Sequence, residues 1–219
     1  MQILQILFFA ALAVFLGVRL YMTLGKSTGR TPEEHAREAK QSKSSSEPAP
    51  VSQPASQSAA PEAIAAHYAG PAGPGLTDIA EADQSFDPET FIQGARQAYR
   101  MVVEAYAKGD RETLSTLLGP RVYDAYDRAI SEREEKGQTQ ITEFERLREA
   151  RIDEASLNDN RARIKVAFAA ELATETRDAE GERLSGDLSR LKTVSEVWSF
   201  ERDVTSSDPN WKLAGVKPV

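Results

Sequence analysis

Residues 163–172 read RIKVAFAAEL, and apolar side chains occupy every second position of this stretch. The apolar positions are Ile164, Val166, Phe168, Ala170 and Leu172. A period of two is typical of a β-strand that buries one face. The residues just before it, Asn158-Asp159-Asn160, favour a turn. The stretch therefore predicts a strand that follows a tight turn and packs one face on a core.

Further strands are predicted on both sides of this one. Residues 178–181 favour a second turn, and residues 193–203 form a strand with Val194, Trp198 and Phe200 on one face. Residues 206–209 turn again before a last strand at 211–216. Residues 138–157 are ambiguous in pattern, and only 152–157 is predicted as a strand.

The region before these strands has the spacing of three helices. The first begins at the N-cap Asp87 with Pro88 and ends at Gly109. Its apolar face consists of Phe91, Ala95, Ala98, Val102 and Tyr106. A second helix follows the cap Asp110, and a third runs from Gly119-Pro120 to about Gly137. Helices followed by an antiparallel meander predict an α+β domain with about three helices packed on one face of the sheet.

The amino-terminal segment, residues 1–25, is predicted to be a transmembrane anchor. Residues 3–18 carry no charge, and extension to Leu24 gives about 33 Å of helix, enough for a hydrocarbon core of about 30 Å. A cleaved signal peptide and a buried core helix are the alternatives, and both fit the flanking residues less well. The anchor residues are Ile3, Leu7, Phe8, Phe9, Leu12, Phe15, Leu16 and Leu20.

Charge around the anchor predicts its orientation. Arg19, Lys26 and Arg30 follow the apolar run, and no Lys or Arg precedes it. By the positive-inside rule the rest of the chain lies on the cytoplasmic side of an inner membrane.

Residues 26–75 are predicted to be a disordered tether, and residues 76–219 the folded domain. From residue 44 onward the tether is rich in Ser, Pro, Gln, Ala and Gly. Such a segment has too few large apolar groups for their burial to offset the entropy that ordering would cost. At the start of the domain, Leu76, Ile79 and Ala80 share one helical face. A membrane-surface helix and a turn that caps the domain both fit them, and we favour the cap.

Composition excludes several classes of function. The 219 residues include no Cys, so disulfides and thiolate chemistry are excluded. The net charge is −7, and residues 81–219 hold 21 basic against 28 acidic groups, which disfavours nucleic-acid binding. The spacings typical of metal and phosphate sites are lacking, so we predict no cofactor and no metal.

Four segments of the chain together resemble a known family. They resemble the carboxyl-terminal domain of subunit 44 of the mitochondrial inner-membrane translocase, and most closely its bacterial, membrane-anchored relatives. The resemblance covers about residues 76–219. The segments are Phe86-Asp87-Pro88 with Phe91 and Gly94-Ala95-Arg96, Ala107-Lys108-Gly109-Asp110, Leu117-Leu118-Gly119-Pro120-Arg121-Val122-Tyr123, and Val197-Trp198-Ser199-Phe200-Glu201-Arg202-Asp203 with Asp208-Pro209-Asn210-Trp211.

The resemblance implies a cone-shaped fold like nuclear transport factor two, with a curved sheet and helices around an apolar pocket. It also implies an adaptor: mitochondrial members recruit an Hsp70 chaperone to the translocase and contact cardiolipin-rich membrane. This chain lacks their long charged amino-terminal region and has the predicted anchor and tether instead. The predicted pocket residues are Tyr99, Val102, Tyr106, Ile164, Val166, Phe168, Val194, Glu196, Trp198 and Phe200.

Catalytic groups are sparse in the predicted domain. His35 and His67 both fall in the predicted tether. Strict alternation places Glu196 on the apolar face of its strand, where burial would raise its pKa. The alternative, which we favour, is that it lies at the sheet rim, pairs with an Arg, or is turned outward by a bulge. We therefore predict that the protein is not an enzyme.

Two functions fit these observations. The first is a membrane-anchored adaptor that holds a translocase component, a client or an Hsp70-type chaperone at the cytoplasmic face of the inner membrane. The alternative is a module that binds a lipid or another apolar small molecule in the cone pocket.

Overall fold

The computed structural model describes residues 61–68 and 70–219. The predicted anchor, residues 1–25, and the predicted tether up to residue 60 lie outside the described residues. Among the helices that the structure describes, none is both long enough and apolar enough to cross a bilayer.

Five helices precede the sheet in the described part of the chain. They are α1 (Pro61–His67), α2 (Gly73–Ala82), α3 (Pro88–Lys108), α4 (Arg111–Leu117) and α5 (Pro120–Glu135).

The predicted caps begin and end these helices. The Asp87 carboxylate accepts a hydrogen bond from the Thr90 amide at 2.7 Å, and Asp110 accepts one from the Thr113 amide at 3.0 Å. Both satisfy amides that the first turn of a helix leaves free. Gly109 ends α3 with a φ of 73°, which costs glycine little because it has no Cβ. The starts of α3 and α4 and the end of α3 are therefore confirmed.

The five strands of the described residues form one antiparallel sheet. They are β1 (Thr139–Asn158), β2 (Arg161–Arg177), β3 (Arg183–Gly186), β4 (Lys192–Asp203) and β5 (Lys212–Pro218). The order across the sheet is β1-β2-β4-β5, and β3 pairs with the end of β2. Asp159 and Asn160 form the β1–β2 turn with positive φ angles of 47° and 64°. The α+β class is confirmed, with five helices in the described residues rather than about three.

Strand β1 is much longer than the sequence predicted. Its pairing with β2 shifts between Phe144 and Arg146 and again between Leu147 and Glu149. Each bulge inserts one extra residue, so Phe144, Leu147 and Ala150 reach the same face at a spacing of three. Because the period of two is lost, residues 138–151 could not be assigned from their pattern.

Helices that belong to the domain are already present before residue 76. Ile64 of α1 is 2% exposed and belongs to the hydrophobic core. A Cβ on Gly75 would lie 1.9 Å from the carbonyl oxygen of Ala155, so glycine is what allows α2 to approach β1 this closely. The predicted boundary at residue 75 therefore needs correction, since Gly75, which was assigned to the tether, packs against β1. His67 likewise lies in α1.

The core lies between the helices and one face of the sheet, which we call the inward face. Helices α2 and α3 pack on β1, and α4 and α5 lie near β5. Leu76, Ile79 and Ala80 are buried in this core. Their shared helical face is directed at the protein interior, as expected for a segment that caps the domain.

Candidate functional site

Three aromatic side chains of the predicted pocket meet on the inward face. The Tyr99 ring, from α3, lies 4.6 Å from the Trp198 ring and 4.7 Å from the Phe168 ring, measured between centroids. The Trp198 and Phe168 rings are 5.5 Å apart in an edge-to-face arrangement. Such distances are typical of packed aromatic pairs. This part of the interior is therefore occupied by side chains.

The other predicted pocket residues divide into two groups. Those buried in the core are Val102, Ile164, Val166 and Phe200. Tyr106, Val194 and Glu196 are partly exposed and lie near the end of α3 and the start of β4. An open pocket bounded by all ten residues stays a prediction.

Glu196 lies on the inward face, as strict alternation places it. The pairing of β4 with β2 runs without a bulge from Lys192 to Asp203. Its Oε2 atom accepts hydrogen bonds from Trp198 Nε1 at 3.0 Å and from the Tyr99 hydroxyl at 3.4 Å. Within residues 61–68 and 70–219, no Lys or Arg forms a salt bridge with it. Two aromatic donors thus take the place of the Arg partner that the alternative proposed.

Burial controls the electrostatics of this cluster. Loss of water raises the pKa of Glu196, and the hydrogen bonds from Trp198 and Tyr99 oppose that rise by stabilising the carboxylate. Burial and the nearby Glu196 carboxylate also raise the pKa values of Tyr99 and Tyr126. The cluster can hold a proton or accept a hydrogen bond from a ligand.

A second cluster lies at the other end of β4 and contains residues of the resembling segments. Arg202 donates to the Asp83 carboxylate and, at 3.3 Å, to the carbonyl oxygen of Pro209. Its guanidinium lies 5.5 Å from the centre of the Trp211 ring, within the range of a cation–π contact. The Trp211 ring in turn contacts Phe91 at 4.9 Å. The contacts of Arg202 and Trp211 therefore connect α2, α3 and the β4–β5 turn.

A surface groove of about 560 Å³ lies between the start of α5 and the β4–β5 turn. It was not predicted, because its lining residues are far apart in the sequence. Its walls carry both signs of charge, with Arg121, Arg163 and Lys212 beside Glu201 and Asp208. In the part of the chain that the structure describes, no group of His, Asp or Glu side chains is arranged to hold a metal ion.

Comparison with known families decides the classification. A family model described as "Tim44-like domain" matches residues 72–218. The chain belongs to the Tim44-like domain family. The match begins close to the start of α2, so this Tim44-like domain includes helix α2 as well as α3 to α5 and the sheet.

Two relatives of this Tim44-like chain come from distant organisms. Uncharacterized protein RP434 of Rickettsia prowazekii (strain Madrid E) is 23% identical over 145 residues, which cover 66% of this chain and 59% of the relative. The probable mitochondrial import inner membrane translocase subunit tin-44 of Caenorhabditis elegans is 21% identical over 145 residues, which cover 64% of this chain and 34% of the relative. The chain thus spans less than two thirds of either relative.

Two solved structures are also similar to the Tim44-like chain. The intermembrane space region of chloroplast protein ARC6 has a TM-score of 0.41 and 17% identity, covering 61% of this chain and 98% of that one. A Streptomyces avermitilis protein of the NTF2-like family has a TM-score of 0.39 and 18% identity, covering 60% and 99% respectively. Both TM-scores are below 0.5, so we base no conclusion on them.

Proposed function

We propose that this protein is a membrane-tethered, non-enzymatic adaptor that holds a protein partner at the cytoplasmic face of an inner membrane. The partner is a translocase component, a translocated client or an Hsp70-type chaperone. The observation that carries the proposal is the Tim44-like match over residues 72–218. A curated relative in this family is named as a subunit of a mitochondrial import translocase, which supports a role in protein transport.

The interior of the domain is consistent with a binding role. Tyr99, Trp198 and Phe168 fill the centre of the cone that the resemblance implies, where an enzyme of that shape would need space for a substrate. Glu196 is hydrogen-bonded to two of these side chains. An adaptor of this kind binds its partner on the outside and needs only a rigid interior.

Crosslinking in membranes tests the adaptor proposal. A photoreactive amino acid at an exposed position, such as Arg121 beside the groove, is expected to capture a translocase or chaperone subunit from membranes of the source cell. The matched control is the same chain without residues 1–25, which should lose both the membrane fraction and the crosslink. If the full chain crosslinks to no transport component from any exposed position, the proposal is wrong.

A ligand-binding role is the second candidate, and one observation favours it. Tyr106, Val194 and Glu196 are partly exposed at one end of an otherwise buried interior, so a small apolar ligand or a lipid chain could enter there. Native mass spectrometry of the full chain in detergent would then show a bound lipid at unit stoichiometry. A Val194→Arg chain should lose it, whereas Val204→Arg, just beyond the far end of β4, should retain it.

A further inference from the structure

Strand β1 has a free edge over its first half. Among the described residues it is the outermost strand and pairs only with β2. Helix α2 approaches the other half at Ala155, and Arg96 donates to the carbonyl oxygen of Ala150 at 3.4 Å. Within residues 61–68 and 70–219, no backbone hydrogen bond joins residues 139–149 to any element other than β2. Such an edge can pair with another strand.

The two bulges give this edge an unusual arrangement of faces. Residues 145 and 146 both lie opposite Glu171, and residues 148 and 149 both lie opposite Ala169. Phe144 and Leu147 point to the inward face with Leu172 and Ala170, while the residues between them point outward. Residues 143–148, which we call the β1 edge segment, therefore read outward, inward, outward, outward, inward, outward.

The charges of the β1 edge segment are arranged about its centre, with two acidic side chains before it and two basic side chains after it. Its sequence is Glu-Phe-Glu-Arg-Leu-Arg, and all four charged side chains are exposed. Arg146 and Arg148 bind the Glu171 carboxylate at 2.6 and 2.8 Å. Glu143 and Glu145 have no salt bridge among the described residues. Their charges are thus available to a partner.

We propose that two copies of this chain associate through the β1 edge segment, antiparallel, about a two-fold axis between Glu145 and Arg146. This axis sets Glu145 opposite Arg146 of the second copy and Glu143 opposite Arg148 of the second copy. Phe144 then faces Leu147 of the second copy on the inward side. Every opposed pair combines either opposite charges or two apolar groups, which are favourable cross-strand pairs.

The bulge at Glu145 is what makes this register possible. In a regular strand neighbouring side chains lie on opposite faces, so Glu145 could not lie beside Arg146 of a second copy. With residues 145 and 146 both outward, each pair matches in face as well as in charge. A second copy fits this pattern because a two-fold interface brings the same surface together from both molecules.

The bulges and the exposed charges determine how strong the proposed contact is and how it depends on salt. The bulges interrupt the regular hydrogen-bond ladder along the edge, so charge pairing sets the register more than backbone bonding does. Exposed ion pairs are screened by salt. We therefore expect a weak dimer that dissociates as ionic strength rises.

Charge exchange tests the interface on the full chain in mild detergent. Analytical ultracentrifugation should show a dimer of the unchanged chain at low salt. Glu143→Arg/Glu145→Arg and Arg146→Glu/Arg148→Glu chains should each be monomeric, because like charges then face each other. An equimolar mixture of the two variants should restore the dimer. The proposal is wrong if the unchanged chain stays monomeric at low salt or if the mixture of variants stays monomeric. It is also wrong if either variant alone dimerises as strongly as the unchanged chain.

Disulfide capture gives a second measurement that does not need stable charge variants. Because the natural chain has no Cys, single replacements are specific. A Glu143→Cys chain mixed with an Arg148→Cys chain should form a mixed disulfide dimer under mild oxidation. The same Glu143→Cys chain mixed with Asp159→Cys, in the distant β1–β2 turn, should not. Equal yields from the two mixtures would overturn the proposed register.

Discussion

At the residue scale, Glu196 shows how a largely buried carboxylate is tolerated with no basic partner among the described residues. Trp198 and Tyr99 both donate to the same oxygen, which stabilises the charged form at the cost of fixing both aromatic side chains. Burial still outweighs these bonds, so the pKa of Glu196 remains raised. The position of Glu196 was predictable from alternation along β4. Its donors were not, because Tyr99 comes from a helix nearly a hundred residues earlier.

The raised pKa of Glu196 predicts a dependence of stability on pH. The folded state binds the proton more tightly than the unfolded state, whose glutamate keeps the ordinary pKa of 4.5. The free energy of unfolding should therefore fall as pH rises from that value through the raised folded pKa, and stay lower above it. A Glu196→Gln chain should lack this fall. Urea unfolding of the full chain in detergent at a series of pH values measures it.

The control for that series is Glu135→Gln, a change to an exposed glutamate at the end of α5. Its pH profile should follow that of the unchanged chain. If Glu196→Gln and the unchanged chain show parallel profiles between pH 4 and 8, burial does not govern the ionisation of Glu196.

At the element scale, α2 and β1 show why sequence patterns succeeded in some segments and failed in others. Local signals predicted α3 and α4 because each capping carboxylate accepts a hydrogen bond from an amide only three residues further along the chain. The bulges of β1 depend on pairing with β2, so no local period revealed residues 139–151 of that strand. The glycines around the start of α2 have the composition of a linker, and only contact with the backbone of β1 gives Gly75 its packing role.

A change at Gly75 tests the close approach of α2 to β1. The Cβ of Gly75→Ala would overlap the backbone at Ala155 and Ser156, which cannot move aside as a side chain could. We expect a loss of about 1–3 kcal/mol in the free energy of unfolding, as for other overpacked sites. Thermal or urea unfolding of the full chain measures the loss.

The matched control is Gly94→Ala, inside α3, where an added Cβ meets no atom within 4 Å. Alanine has the higher helix propensity, so this change should stabilise the protein by about 0.5–1 kcal/mol. Equal effects of the two substitutions would contradict a specific contact at Gly75.

At the scale of the whole molecule, the pair Asp83–Arg202 joins the end of α2 to the end of the sheet. The side chains are only 13% and 9% exposed, so each charge depends on the other for stabilisation. Arg202 also packs on Trp211, which connects the pair to the β4–β5 turn. Arg202 and Trp211, which lie in segments that resemble the family, thus help to hold α2 against the sheet.

A double-mutant cycle tests this connection. Asp83→Ala and Arg202→Ala should each cost about 3–5 kcal/mol, because each leaves a buried charge without its partner. The double substitution should cost clearly less than the sum of the two single changes. Unfolding free energies of the four chains give the coupling, and strictly additive values would contradict the inferred dependence.

The sequence by itself determined the α+β class, the caps of α3 and α4, the β1–β2 turn and the family. These features depend on residues close together along the chain or on sequence segments that can be compared directly with those of known families. Only the tertiary structure decided that Gly75 packs on β1, that Tyr99 and Trp198 hold Glu196, and that the bulges order the charges of the β1 edge segment. Each of these depends on contacts between residues distant in sequence, whose partners a local pattern does not specify.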